Sequence, residues 1–394
     1  MKIKKNIIIP SAYFCSWNGG VKLVKTVTDS LIDYDKKNHF HYILLVPDKN
    51  FISFFKRFFN IFKTFFTGLC YGKFFFKDWI YNKSAKELRS YFETKKNLSI
   101  IGVDYIQEKN FLEKGINLLS MNLSYNKYKI GYLFDFQHKY YPNFFSKKQI
   151  KSRNNFFKKI IHSNNYIIVN SIQTKKDIFR FIQKFKTKIF VLPFAPYLDF
   201  SLDFYDTKKK NFDDYFIICN QFWKHKNFET VIQAMYYLKD KNFKLYITGQ
   251  VDLKTNYNYY LKIKSMIKKL NLENQIIYLG HLEKKKQLSL ILNSKALIQP
   301  SLYEGGPGGF SVYEALSLNK KVLVSDINVN KEITNSKVVY FKKKNSKDLY
   351  KKMLKILNKN IKPSKKKTII YNSQNNKKKL GKEIFNFLKK VEIS

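Results

Sequence analysis

Short apolar runs of strand length alternate with longer segments of helical period along most of the chain. This alternation is typical of βαβ units, so it predicts an α/β fold with parallel sheets. In the first half, strands are predicted at Asn6–Pro10, His41–Val46, Leu98–Val103, Lys129–Phe134, Tyr166–Val169 and Lys188–Leu192. Helices are predicted between them at Gly20–Tyr34, Lys147–His162 and Thr174–Phe185.

The alternation stops near residue 205 and then restarts. Pro193, Pro196 and the polar run Asp206–Asp214 interrupt it, as a linker between two domains does. Beyond the interruption, strands are predicted at Tyr215–Asn220, Phe243–Thr248, Gln275–Leu279, Ala296–Gln299, Lys321–Ser325 and Val338–Phe341. Helices are predicted at Asn227–Lys239, Asn256–Leu270, Lys284–Leu292, Ser311–Leu318 and Ser346–Asn358. The pattern therefore predicts two doubly wound domains, with ligands in a cleft at the carboxyl ends of their strands.

The C-terminal part of the chain consists of a Lys-rich stretch followed by a segment with helical period. Residues 359–379 are rich in Lys and are predicted to be mobile. Leu380–Val391 has helical period, so we predict a final helix within residues 376–394. The two domains are accordingly placed at residues 1–205 and 206–375.

The segment Phe51–Leu69 departs from the general pattern. Its polar positions Lys56, Asn60, Lys63 and Thr67 recur at helical spacing, and phenylalanines fill most of the other positions. A helix with a cationic face and an aromatic face is typical of a segment that lies in the interface of an anionic membrane. The alternative is a helix that packs on its own domain.

The composition is that of a strongly basic globular protein. Of the 394 residues, 44% are hydrophobic and 26% are charged, which excludes wholesale disorder and a fibrous chain. The 74 Lys+Arg and 29 Asp+Glu leave a formal net charge of +45, which favours anionic partners such as nucleic acid, a membrane surface or a phosphorylated small molecule. Abundant Lys, Asn, Ile, Phe and Tyr also fit compositional drift in an AT-rich genome, so charge alone identifies no partner.

Cysteine usage and the apolar runs bear on the compartment. Cys15, Cys70 and Cys219 form neither an even disulfide framework nor a C-x-x-C pair, which favours a reducing compartment. The first apolar stretch is too short for a signal peptide, and no run reaches the roughly 18 apolar residues of a membrane span. We therefore expect a cytoplasmic protein.

The stretch Gln299–Glu314, QPSLYEGGPGGFSVYE, carries the clearest chemical signal. It follows a short predicted strand and leads into a helix, and four of five consecutive residues are glycine. Without side chains, the backbone can approach a ligand closely and direct its N–H groups to an anion at a helix N-terminus. Glu304 and Glu314 flank the loop and suit the hydroxyls of a ribose or a sugar. A nucleotide sugar combines these features, whereas a plain turn is the alternative.

Three further constellations are candidates for ligand binding. In Asn220–Phe228, NQFWKHKNF, Lys224 and Lys226 are placed to neutralise a diphosphate from the side opposite the glycine loop. In Trp17–Val21, WNGGV, Gly19 and Gly20 open a helix after the first strand and form a possible anion cradle. His138, in the segment DFQH after another predicted strand, faces the cleft if the fold is right and is otherwise a satisfied surface histidine.

No metal site or nucleic-acid motif is visible in the sequence. Asp33 and Asp35 have D-x-D spacing but lie at the polar end of a predicted helix, which indicates a solvated helix end. No base-reading motif with interleaved aromatic residues is found. We expect neither a metal nor another cofactor, and no nucleic-acid partner.

These stretches together resemble the retaining glycosyltransferases of family 4, which have the GT-B fold. The resemblance rests on Pro300–Ile333, NQFWKHKNF, NGGV, and DFQH followed by PNFFS. It implies two Rossmann-like domains that enclose a cleft, with residues 1–205 on the acceptor side and residues 206–375 binding the nucleotide sugar. The final helix, within residues 376–394, would cross back to the first domain.

The resemblance also implies roles for individual residues. Glu304 would lie near the donor sugar hydroxyls, Glu314 on the ribose and Lys226 on the diphosphate, while His138 would face the reacting sugar. Glu304 and His138 are thus the expected catalytic residues, and the expected donor-binding residues are Gly19, Gly20, Gln221, Lys226, Gly305, Gly306 and Glu314.

Two departures from the family pattern affect the donor site. The family motif is E-x7-E, whereas Glu304 and Glu314 are ten positions apart, so the glycine loop is two residues longer. Gln221 stands where the family usually has an arginine beside the phosphates, which leaves more of the charge neutralisation to Lys226.

The implied function is transfer of a hexose-like sugar from a nucleoside-diphosphate sugar to a glycan or lipid-linked glycan, with retention and without a metal. An anionic membrane surface is an expected partner, which would place the protein on the inner face of the cytoplasmic membrane. The alternatives are a basic nucleic-acid- or membrane-binding protein on a degenerate transferase scaffold, and another GT-B enzyme such as an epimerase or phosphorylase.

Overall fold

The structure, a computed structural model, describes residues 5–16, 18–48, 78–121, 129–198, 214–253, 255–358 and 365–393. They form two compact units, one of Met1–Pro193 with Lys378–Ser394 and one of Phe194–Lys377. The segment Phe51–Leu69 and the boundary predicted near residue 205 lie outside the described residues.

The first unit is built on a seven-stranded parallel sheet with the order β3-β2-β1-β4-β5-β6-β7. The chain starts at the centre, winds to one edge and then returns to build the other, which is the doubly wound arrangement. The strands are β1 Asn6–Pro10, β2 His41–Pro47, β3 Leu98–Val103, β4 Ile116–Ser120, β5 Lys129–Tyr132, β6 Tyr166–Val169 and β7 Lys188–Val191.

The central strands of this sheet carry apolar side chains on both faces rather than on every second position, because helices cover both faces of the sheet. Ile7, Ile8 and Ile9 of β1 are fully buried, and Ile8 pairs with Ile43 of β2. The helices of this unit are α1 Asn18–Tyr34, α2 Asp78–Phe92, α3 Tyr105–Leu112, α4 Gln137–Tyr140, α5 Lys147–His162 and α6 Ile172–Phe181.

Four of the described strands and α-helices of the first unit are absent from the sequence prediction: α2, α3, α4 and β4. The strand β4 is short and contains Asn117, a poor strand former that is nevertheless fully buried. Its Nδ2 donates to the carbonyl of Leu112 at 2.7 Å, so a hydrogen bond to the end of α3 offsets part of the cost of burying this amide.

The second unit contains a six-stranded parallel sheet with the order β10-β9-β8-β11-β12-β13. Its strands are β8 Tyr215–Cys219, β9 Lys244–Thr248, β10 Ile276–Tyr278, β11 Ala296–Gln299, β12 Val322–Ser325 and β13 Val338–Phe341. The direction of winding reverses between β8 and β11, which is the topological switch point where such sheets bind ligands. The helices are α7 Phe228–Tyr236, α8 Tyr257–Lys269, α9 Lys284–Asn293, α10 Gly309–Ser317 and α11 Ser346–Leu357.

The last helix, α12, runs from Lys366 to Ile393, so the prediction of a mobile tail is wrong from Lys366 onward. Its first turns are ordered by packing in the second unit, where Ser373 is buried and its Oγ accepts from the backbone N–H of Leu198 at 2.7 Å. Its later turns belong to the first unit. There a Cβ on Gly381 would lie 2.1 Å from the carbonyl oxygen of Ser30, so glycine permits a close approach of α12 to α1.

The predicted fold class is confirmed: both units are Rossmann-like, doubly wound α/β domains. Among the residues that the structure describes, no helix is long and apolar enough to span a membrane.

Candidate functional site

Polar residues converge at the carboxyl edge of the second sheet, on either side of the switch point. Asn220 follows β8 and Gln299 ends β11, and both side chains are buried. The Nδ2 atom of Asn220 donates to Oε1 of Gln299 at 2.6 Å. This bond links the ends of the two strands. It leaves the amide nitrogen of Gln299 free to donate a hydrogen bond to a second side chain.

That second group is the carboxylate of Glu304. Its Oε1 accepts from Nε2 of Gln299 at 2.8 Å, from Oγ of Ser301 at 2.5 Å and from Nζ of Lys226 at 2.5 Å. Lys226 lies in a short 3-10 turn, Lys224–Lys226, after β8. The structure thus brings together Lys226 and Glu304, which are 78 residues apart in the sequence.

The electrostatics of this cluster favour an ionised carboxylate. Burial alone would raise the pKa of Glu304, but the Lys226 ammonium and the hydrogen bonds from Lys226 and Ser301 hold it below its usual value. Burial, together with the neighbouring Lys226 charge, lowers the pKa of His225 to about 3, so this imidazole is neutral at physiological pH. The site therefore contains one anion and one cation in direct contact.

The glycine loop is held by a residue that the sequence analysis did not single out. Gly308 and Gly309 have φ of 66° and 68°, and a Cβ on Gly308 would lie 2.7 Å from Cβ of Val312. The buried Asn330 accepts from the N–H of Gly308 at 2.9 Å and donates to the carbonyl of Ser325 at 2.9 Å. Asn330 thereby fixes the start of α10 to the end of β12.

Glu314 lies on α10 and is only 3% exposed. Its Oε1 pairs with Nζ of Lys284, the first residue of α9, at 3.0 Å. The two glutamates therefore have different partners, Lys226 for Glu304 and Lys284 for Glu314. Lys284 is a cation of this edge that the sequence analysis missed, because nothing in its local pattern separates it from the neighbouring lysines.

The remaining donor-binding candidates of the second unit lie on the same two loops. Gln221 is exposed, and its Oε1 accepts from Nε1 of Trp223 at 2.9 Å. Gly305 and Gly306 follow Glu304 directly and are half-buried. Their placement agrees with the predicted loop, while the ligand contacts expected of them stay predictions.

The candidates of the first unit follow two of its strands. Gly19 and Gly20 lie in the first turn of α1, the helix that comes after β1, and Gly20 is buried. His138 lies in the short helix α4 after β5 and is 1% exposed. All three residues follow the carboxyl ends of parallel strands, as the sequence predicts.

His138 is a fully satisfied histidine. Its Nε2 lies 2.9 Å from Oδ1 of Asn154, and its Nδ1 accepts from Nε of Arg153 at 3.2 Å. Burial, reinforced by the Arg153 charge, lowers its pKa to about 4, so the imidazole is neutral with its proton on Nε2. To contact a sugar hydroxyl, one ring nitrogen has to exchange its partner within the unit.

Arg153 organises the surroundings of His138 and was also missed. Its Nη2 forms an ion pair with Asp135 at 2.8 Å, and its guanidinium lies 4.9 to 5.2 Å from the centroids of Phe134, Phe145 and Phe157. The polar positions of α5 carry a weak signal, since Arg153 and Asn154 are adjacent on an otherwise Lys-rich helix.

Of the D-x-D pair, Asp33 is exposed as predicted, whereas the prediction of a solvated helix end is wrong for Asp35. Asp35 is 4% exposed and accepts from the backbone N–H groups of His39 and Phe40 and from the Tyr42 hydroxyl at 2.8 to 3.0 Å. It caps the turn into β2. Within the described ranges, no group of three or more His, Cys, Asp or Glu is arranged to hold a metal ion.

Residues 200–376 match the family model of glycosyl transferases group 1. The O-antigen chain mannosyltransferase RfbU of Salmonella typhimurium is 27% identical over 133 residues, which cover 34% of this chain and 35% of the relative. An uncharacterized glycosyltransferase of Methanocaldococcus jannaschii is 30% identical over 174 residues, which cover 41% of this chain and 39% of the relative. The matches thus span 35% and 39% of these relatives. The family model confirms the predicted resemblance at the level of group 1, and family 4 stays a prediction.

Solved structures resemble the chain over nearly its whole length. A sucrose-phosphate synthase from Thermosynechococcus elongatus has a TM-score of 0.58 at 13% identity and covers 98% of this chain and 96% of its own. Anabaena HepE, solved in complex with UDP and glucose, has a TM-score of 0.60 at 12% identity and covers 98% of this chain and 100% of its own. At such identities the likeness shows the fold alone, and that fold is GT-B.

Proposed function

We propose that this chain, whose second unit matches the group 1 glycosyltransferases, transfers a hexose-like sugar from a nucleoside-diphosphate sugar to a hydroxyl of a glycan, with retention at the anomeric carbon. The relatives and the fold support the reaction class. The geometry of the second unit supports the assignment of the donor to the carboxyl edge of its sheet.

One observation carries the proposal: the contact of Lys226 and Glu304 at the switch point, supported by Gln299. The cation and the anion of this pair can bind two different parts of a nucleotide-sugar donor. The Lys226 ammonium suits the diphosphate, and the Glu304 carboxylate accepts from sugar hydroxyls. Because the network holds both side chains in place, little reorganisation is needed when the donor binds.

Departure of the nucleoside diphosphate is the step that needs stabilisation. Negative charge develops on the diphosphate oxygens as the glycosidic bond breaks, and a preorganised positive field lowers the free energy of that transition state. In the proposal this field comes from Lys226 and from the N-terminus of α10, which starts at the glycine loop on the same edge. Glu314, also on α10, would bind the ribose hydroxyls.

The acceptor belongs to the glycan class in this proposal. The relative from Salmonella typhimurium is a mannosyltransferase of the O-antigen chain, which supports a hexose donor and a glycan or lipid-linked glycan acceptor. His138 would serve the reacting sugar from the first unit. A net charge of +45 suits attachment to an anionic membrane surface, where lipid-linked acceptors are found.

The test is release of nucleoside diphosphate from a panel of nucleotide sugars incubated with the full chain and a glycan acceptor. We expect one donor to release diphosphate, and Lys226→Ala to lower that release strongly while Lys224→Ala, on the same turn, changes it little. The anomeric configuration of the product, read by NMR, checks retention. No release from any donor would contradict the proposal and favour a binding protein on a transferase scaffold.

A further inference from the structure

The first unit contains a cavity of about 350 Å³ to which the proposed reaction assigns no ligand. This volume falls within the roughly 300–1,000 Å³ of small-molecule sites. Its apolar part is formed by Phe136, Phe157 and Phe181, whose ring centroids lie 5.3 Å (Phe136 to Phe157) and 5.5 Å (Phe136 to Phe181) apart. Phe136 and Phe157 are only 1% exposed, so the half-buried Phe181 supplies most of the aromatic surface that is open to a ligand.

The polar part of the cavity consists of cations and amides. Lys139 and Lys158 are exposed lysines that line it, and the amide side chains are those of Asn154, Asn155 and Gln183. None of the residues that line the cavity carries a carboxylate. The cavity therefore offers positive charge and hydrogen-bonding groups above an apolar floor.

The nearby carboxylates are engaged elsewhere and do not neutralise the two lysines. Asp135 pairs with Arg153 at 2.8 Å. Asp177 accepts from the Tyr140 hydroxyl at 2.5 Å and from Nε2 of Gln173 at 2.9 Å. Lys139 instead lies 5.6 Å from the ring centroid of Phe181, which places its charge directly over the apolar floor.

We propose that this cavity binds a sugar unit that carries a phosphate or a carboxylate group. The C–H face of the sugar ring would pack on Phe181, its hydroxyls would bond to the amides, and its anionic group would pair with Lys139 and Lys158. That the bound sugar is a unit of the acceptor glycan rests on the proposed function. That the cavity binds an anionic sugar rests only on the residues that line it.

The cavity is linked to His138 through a shared residue. Asn154 lines the cavity and also holds Nε2 of His138 at 2.9 Å. A sugar hydroxyl that bonds to the Asn154 amide changes the environment of that nitrogen. Occupation of the cavity is thus detectable at His138 without any turnover.

The experiment is calorimetric titration of the full chain, in the absence of nucleotide, with glucose 6-phosphate and glucuronate as anionic sugars. Glucose and inorganic phosphate are the reference probes. We expect at least one anionic sugar to bind about tenfold more tightly than either reference, and the two anionic probes distinguish a phosphate from a carboxylate preference. Equal binding of all four probes, or none, would overturn the inference.

Variants localise the binding to the cavity. Lys158→Ala should weaken binding of the anionic sugar about tenfold, the value of one charge-assisted hydrogen bond. Lys159→Ala removes the same charge from the next residue of α5, which is exposed and does not line the cavity, and should change affinity less than twofold. Equal losses in both variants would show a general charge effect and contradict the site.

NMR of His138 reports occupation of the cavity independently of the calorimetry. The anionic sugar should shift the imidazole Nε2 resonance of His138 in the wild type, and an unshifted resonance would contradict the inference. UDP titrated into the same preparation tests the donor site. Binding of UDP without the sugar would defeat the inference and leave the proposed function standing, whereas the reverse result would count against the proposed function alone.

Discussion

Lys226 and Glu304 retain only 14% and 11% of their side-chain exposure, so solvent screens their contact weakly. Removal of one charge from a largely buried pair leaves the other uncompensated, which is more costly than the loss of a surface salt bridge. The proposed reaction uses both charges, because the donor contributes a negative diphosphate and a hydroxyl-rich sugar. The pair is the residue-scale feature on which activity depends most directly.

We expect Glu304→Gln to lower kcat about a hundredfold, since a neutral amide stabilises the developing charge on the sugar less well. Glu314→Gln should act mainly on KM, because the ribose is bound equally in the ground state and the transition state. Steady-state kinetics with the donor identified by the panel check both values. Glu273→Gln, an exposed carboxylate of the same unit, is the control, and near-normal kcat in Glu304→Gln would show that the role had been assigned to the wrong residue.

The neutral state of His138 couples folding to pH. Its pKa falls from 6.5 to about 4 on folding, so between these values the unfolded chain binds the proton and the folded chain does not. The free energy of unfolding should therefore fall as pH is lowered through this window, and the contribution is fully present above pH 6.5. His225, whose pKa is lowered to about 3, acts in the same direction.

Urea unfolding at pH 7 and pH 5 measures this effect. The loss of stability between the two pH values should be smaller in His138→Gln than in the wild type, because the glutamine does not titrate. His162→Gln, at the exposed end of the same unit's helix α5, should leave the difference unchanged. An identical loss in wild type and His138→Gln would mean that the imidazole titrates normally in the folded state.

At the scale of elements, the glycine loop and α10 depend on Asn330. This side chain satisfies the buried N–H of Gly308 and links the loop to β12. Asn330→Ala should lower the free energy of unfolding by about 1–3 kcal/mol, the cost of a buried donor left unbonded, and should weaken donor binding. Urea unfolding and UDP titration check the two effects against Asn274→Ala, an exposed position of the same unit. Unchanged values for Asn330→Ala would show that the glycines hold the loop without it.

The element predicted at Phe51–Leu69 is tested by membrane binding. Replacement of Phe55, Phe58 and Phe62 with Ser should release the protein from anionic vesicles if the aromatic side chains insert, and added salt should weaken the attachment of the wild type. Vesicle sedimentation measures both, and circular dichroism controls for folding. A misfolded variant would show instead that this segment packs on its own domain.

At the scale of the whole molecule, charge is supplied by side chains and helix termini rather than by a metal in the proposed reaction. We expect diphosphate release by the full chain to persist in EDTA at the rate measured without it. The control adds magnesium or manganese to the chelated sample and should give no gain. Activity lost in EDTA and restored by either ion would overturn this expectation.

The sequence by itself determined the fold class and the position of most strands and helices. A parallel sheet with helices on both faces needs short apolar strands, and such runs can be seen in the local sequence. For this reason β1, β6 and β11 could be predicted to the residue. The glycine loop was visible for the same reason, because four glycines in five residues impose their backbone freedom locally. Lys226 and Glu304 could be named as candidates from the two loops that carry them, and the resemblance added the role expected of each.

Tertiary structure alone decided which side chains meet. Asn220 and Gln299 join because β8 and β11 are neighbours in the sheet, although 79 positions separate the two residues in sequence. Packing also decided that His138 is buried against Arg153 and Asn154 and that α12 begins at Lys366. A hydrogen bond or ion pair between distant residues leaves no period in the sequence, since its energy depends on strand order and burial rather than on the local chain.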